Sequence, residues 1–467
     1  MLGEGPPHRD RACVITGEPP SGGRCKSRRA AREARERGEI ALPQALEAPL
    51  YRPFALLALG VTLGIATPIG AVALYRLYAP VGRVPITWPS LHAHLQVFGF
   101  AGVLIMGVGQ HLLLRFSHGP IRRHKCMPWI LGLVALGLLA RLAAPLFPDA
   151  SLWLASGGAE SLAYAVFAVW VTARIRATEP RFTSDWLLVT GAWWLAAALV
   201  AETIALLVRV KTGGDPAAAV PGPGLYAMGL YGGIFGWILG VAMRVAPMFL
   251  AVRKPRLLGG AILVTLNGAV ILGVLAEGGS AASRHTQILQ ALSELGVAAA
   301  LIVGALSIGA WRPQSRQVLA LHLDQTEARF FRFAFASAGL AAAGLILGAG
   351  LGIAGTPRGL LVDVTRHLLT VGFVIGMVCA VGFRFLPVIE GVPLSVPGAR
   401  AITFWTLAAA TLLRTLEVGA DYWHEAFLRP AAVSGFLAWL ALGCWGIAVG
   451  LTMIRGATAR RPSGEKK

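Results

Sequence analysis

Leu91-His-Ala-His-Leu-Gln-Val-Phe-Gly-Phe100 and Thr365-Arg-His-Leu-Leu-Thr-Val-Gly-Phe373 are two copies of one pattern. They set His94 against His367, Gly99 against Gly372 and Phe100 against Phe373. A third copy has no histidine, but its Gly232, Gly236, Arg244 and Pro247 recur as Gly372, Gly376, Arg384 and Pro387. Each copy lies in an apolar run of the length that crosses a bilayer, about 20 residues.

Such runs continue along the chain. Twelve are expected, at roughly 53–77, 90–115, 127–147, 152–174, 185–209, 224–250, 257–277, 286–310, 331–355, 365–389, 401–418 and 431–454. Lipid offers no partner for a free peptide group, and a barrel would alternate polar and apolar residues, so these spans are helices. The copies fall on spans 2, 6 and 10. Four is an even interval, so the three run in the same direction. This predicts an all-α polytopic membrane protein whose helices form three groups of four about a pseudo-threefold axis, a parallel repeat.

Composition agrees. Of 467 residues 55% are hydrophobic and only 14% charged, against roughly a quarter charged in soluble domains; mean hydropathy is +0.64. The net charge of +19 suggests nucleic acid until its distribution is read. Arg115, Arg122, Arg123 and Lys125 form one loop cluster, Arg253, Lys254 and Arg256 another, and Arg455, Arg460, Arg461, Lys466 and Lys467 close the chain, all on one side. This positive-inside bias puts both termini in the cytoplasm of a bacterial inner membrane, with the lipid bilayer and no nucleic acid as partner.

Residues 1–49 lack any apolar run and read as a disordered cytoplasmic tail, 50–456 as the membrane domain, and 457–467 as a basic tail. Cys13, Cys25, Cys126, Cys379 and Cys444 show no metal-type spacing.

Ionisable residues at membrane depth are functional candidates by default. His94 and His367 lie at matching depth and suggest two ligands for one metal centre, with haem expected first. His92 is about 200° from His94 around the helix, and could serve instead. Arg83, Arg358 and Arg366 could hold haem propionates; lipid headgroup contact explains them equally. Glu160, Glu202 and Glu294 are candidate proton carriers, although their own helical neighbours form no clear relay. His111, His285 and His424 are weaker candidates, and His8, His118, His124 and His322 fall in tail or loops.

Tyr51-Arg-Pro-Phe54, Leu91-His-Ala-His94 with Phe98-Gly-Phe100, and His367 through Gly372 resemble the NnrS family over about residues 50–455. That resemblance implies a membrane protein with haem b and copper, linked to nitric oxide, and with an electron donor as a further partner. The chain more remotely resembles the catalytic subunit of haem–copper oxidases, which implies haem ligands on the second and tenth helices. It departs from that subunit where copper ligands belong: span 6 offers Tyr226, Met228, Tyr231 and Met243 and no histidine, and span 7 offers Asn267 and Glu277. Reduction of dioxygen is therefore not expected. Enzymatic turnover stays open, and a secondary transporter or a non-catalytic haem-holding sensor or assembly subunit are the competing readings.

Overall fold

The computed structural model describes residues 50–79, 81–116, 125–147, 150–177, 181–215, 223–250, 258–279, 283–311 and 325–460. The tails at 1–49 and 461–467, with His8, and the loop residues His118, His124 and His322 lie outside the described residues.

Twelve helices are long and apolar enough to cross a membrane: α1 (Arg52–Tyr78), α2 (Thr87–Leu113), α3 (Met127–Leu146), α4 (Ser151–Arg176), α5 (Thr183–Lys211), α6 (Gly224–Pro247), α7 (Gly259–Glu277), α8 (Arg284–Ile308), α9 (Thr326–Ile353), α10 (Leu361–Glu390), α11 (Ala399–Ala420) and α12 (Glu425–Ala459). Every element among the described residues is helical. The chain is an all-α, multi-pass membrane protein, as its hydropathy requires.

Local chemistry places the helix ends. Proline opens α1 and α3 in the first turn, where a missing N–H costs no helical bond. Gly309 and Gly391, at φ 71° and 69°, close α8 and α10 in the left-handed conformation. The last helix runs to Ala459, five residues past the expected end of the twelfth span at 454. Nothing in that stretch breaks a helix before Pro462, which disfavours helical geometry in the residue before it.

The threefold grouping is visible in which helices touch. Within groups α3 packs on α4, α7 on α8 and α11 on α12; between groups α4 meets α5, α8 meets α9, and α12 closes the ring on α1. The repeat helices stand inside. α2, α6 and α10 bury 67%, 72% and 61% of their apolar windows, against 33%, 39% and 33% for α3, α7 and α11. Phe235 of α6 and Phe373 of α10 meet edge-on at the centre, with ring centroids 5.5 Å apart.

All three inner helices widen into a π-helical stretch at the same point of the repeat: Leu95–Gly102, Ala227–Phe235 and Leu368–Ile375. His94 and His367 each immediately precede theirs, so the sequence repeat is also a repeat of backbone shape. A wider turn is costly and tends to mark functional positions. A further π turn, Thr62–Ala66, lies in α1 beside α2.

At the face where α1 begins, hereafter the near face, Glu390 at the end of α10 binds Tyr51 and Arg52 and lies 3.3 Å from Arg460. On the same face Arg400 and Glu327 pair at 3.2 Å. His92, His94 and His367 lie toward the opposite, far face.

Candidate functional site

His92 projects from α2 toward α1. Its Nδ1 lies 2.8 Å from the carbonyl oxygen of Ala66, the last residue of the π turn in α1. A carbonyl can only accept, so Nδ1 carries the hydrogen and Nε2 keeps its lone pair. The ring lies so close to Gly70 that a Cβ there would collide with it. Glycine at 70 is what lets α1 approach the imidazole.

His367 repeats the arrangement on α10. Its Nδ1 donates to the carbonyl of Asp363, one turn earlier, at 2.8 Å, which again leaves Nε2 as the acceptor. Asp363 binds Arg414 of α11, and Arg414 also binds Glu417. His92 lies within electrostatic range of His367, Arg414 and Asp363, so the two imidazoles share one region.

Both helices present partly accessible strips there. His92, Ala93, Gln96 and Val97 are half-buried on α2, as are Asp363, Arg366, His367, Thr370 and Val371 on α10. Spacings of one, three and four residues put each strip on one helix face.

The expected pairing of His94 with His367 is not what the structure brings together. His94 is buried and turned away, toward α4 and α5. Its Nε2 lies 2.7 Å from Glu160 and its Nδ1 lies 3.1 Å from Glu202. Ser156 donates to Glu160 at 2.9 Å and Arg141 pairs with Glu202 at 3.0 Å. Carboxylates accept, so either both ring nitrogens carry hydrogen or one carboxyl holds a proton. With Nε2 and Nδ1 both committed, His94 has no lone pair to offer a metal.

Sequence reasoning saw no relay among the intramembrane carboxylates, but the structure joins two of them through His94. It also missed Arg141 and Arg414, although a signal was present. Arg414 follows His367 by 47 residues, and Arg141 follows His94 by the same interval. The repeat thus includes an arginine on the third helix of its group.

The remaining candidates separate. Arg366 stacks over the Tyr226 ring at 4.7 Å and has no carboxylate within ion-pair distance among the described residues. Arg358 is committed to Glu294. Arg83 is exposed on the loop between α1 and α2, where its carbonyl accepts from Arg76 at 3.4 Å. His111 is buried edge-on to Tyr51, with centroids 6.2 Å apart. His285 and His424 are exposed, and His424 caps the turn at Ala426. Cys126, Cys379 and Cys444 form no disulfide among the described residues.

Among the described residues no three or more His, Cys, Asp or Glu converge as a metal cage. Two imidazoles with Nδ1 tied to backbone are the usual second-shell arrangement of metal-binding histidine. Two ligands suffice when the cofactor supplies its own equatorial nitrogens, as haem does. The donor set therefore fits haem better than a bare ion.

No protein-family model matches this chain, and no curated protein matches it.

Proposed function

We propose that the protein is a membrane haem protein that carries one b-type haem between His92 and His367 and handles nitric oxide or another small gas. The supporting observation is the pair of imidazoles on two inner helices, each with Nδ1 held by a carbonyl and Nε2 left as acceptor. Haem b fits because the sequence has no Cys-x-x-Cys-His for covalent attachment. When bound, such a haem supplies one-electron transfer, or gas binding if one imidazole gives way.

The chain's own residues do the rest. The carbonyls of Ala66 and Asp363 hold the two rings in one tautomer, and Arg366 offers a guanidinium to a propionate. Arg414 and Asp363 fix charge beside His367. The short motifs that resemble NnrS proteins include both histidines. Copper finds less support, since no group of three or more His, Cys, Asp or Glu forms around them among the described residues. An electron donor, a bacterial inner membrane and cytoplasmic termini complete the reading, the last two from the basic loops.

The test is optical. Protein purified from haem-replete cells should give a reduced-minus-oxidised Soret difference, with one haem per chain by pyridine haemochrome. His92→Ala and His367→Ala should each abolish or shift it, whereas His424→Ala, in an exposed turn, should leave its position unchanged. Absence of any Soret band would sink the proposal. It would favour the second reading, ion-coupled transport, which the buried His94 network supports.

A further inference from the structure

Between α2, α6 and α10, on the near-face side of His92, His94 and His367, lies a cavity of about 150 Å³. Leu104 and Val108 of α2, Ile238 and Val241 of α6, and Val378 and Val381 of α10 line it. Along α2 the lining starts at Ala101, and along α10 at Val374. That is about 10–14 Å inward of His92 and His367 at a helical rise per residue. The cavity is therefore separate from the candidate haem site, with the Phe235–Phe373 contact beside the lining residues Ile234 and Val374 at its far-face end.

Its chemistry selects against water. A buried water needs two to four polar partners, and these walls are aliphatic over most of their length, with the aromatic rings of Trp237, Phe385 and Trp445 and, at the near-face end, Tyr51 and His111. The Tyr51 hydroxyl, at the near-face end, is already bound to Glu390. His111, edge-on to Tyr51, also belongs to the wall at that end, and two further polar groups belong to wall residues. The indole nitrogens of Trp237 and Trp445, both almost fully buried, have no hydrogen-bond partner among the described residues. Cavities of this size with aliphatic walls stay dry and take up benzene or xenon.

We infer that the central cavity is a binding site for small apolar molecules, a gas-holding chamber at the centre of the three inner helices. Its guests are uncharged and compact. The inference needs no metal and stands apart from the haem reading.

Xenon is the probe. ¹²⁹Xe NMR of the protein in lipid nanodiscs should show a saturable shift that matched empty nanodiscs lack. Val241→Phe, which fills the chamber, should weaken xenon binding by roughly fivefold or more. Ala101→Leu adds less bulk and should weaken it in the same direction, which covers a Val241→Phe chain that fails to fold. Val381→Ala should enlarge the site and strengthen the signal. No saturable shift in the wild type, or an undiminished shift in both filled variants, would overturn the inference. Because the readout is independent of the Soret band, failure of one proposal leaves the other intact.

Discussion

His92 and His94 are separated by one residue on the same helix and meet opposite surroundings. His92 is half-buried, makes one hydrogen bond to a backbone carbonyl and retains an uncommitted nitrogen. His94 is sealed in the bundle with both nitrogens on carboxylates, one of which is balanced by Arg141. The first environment leaves a ligand available; the second uses up every donor and acceptor to hold α2, α3, α4 and α5 together. Membrane depth alone therefore does not identify a metal ligand. What distinguishes the two is how many of the ring's nitrogens the protein has already engaged.

The contrast can be broken by mutation. The largest effect should come from His94→Ala, which leaves Glu160 and Glu202 buried with Arg141 alone. Breaking a buried ion network costs about 3–5 kcal/mol, so thermal unfolding in detergent should show a large loss of stability or no folded protein. A wild-type-like melting temperature would mean that the network carries no load.

A double-mutant cycle sharpens the point. His94→Gln with Glu160→Gln should reveal a coupling of about 1.5–3 kcal/mol, within the range of contacting groups. The same cycle on His92 and His367, in protein stripped of any cofactor, should give less than about 0.5 kcal/mol. Equal couplings would erase the distinction between the two histidines.

Gly70→Ala probes the His92 pocket from its other wall. The added methyl group meets the imidazole, and overpacking of this kind costs about 1–3 kcal/mol. Stability should fall, and any Soret band should shift with the displaced ring. The smallest effect is expected for His92→Ala. Losing one hydrogen bond to a carbonyl costs about 1 kcal/mol, so the fold should survive while the absorption is lost.

Much of the architecture was legible because hydropathy adds up residue by residue. Twelve apolar runs specify twelve helices whatever surrounds them. The His94–His367 register correctly marked equivalent backbone positions, each one residue before a π stretch. It failed as a guide to partners. Equivalence under a threefold axis puts two residues in like positions of different groups, and does not make them face one another. His92, outside the repeat, is the residue that shares a region with His367. The constant 47-residue interval to Arg141 and Arg414 was readable but meant little until the third helix of each group was seen against the second.

Span number, direction of the repeat and the inward position of α2, α6 and α10 follow from the order of residues alone, because burial of apolar side chains is a property each segment carries with it. Which imidazole keeps a lone pair, and where the empty space lies, was decided only by the packed helices. Hydrogen bonds and cavities exist between segments far apart in the chain, and depend on ångström-scale distances that no residue pattern encodes.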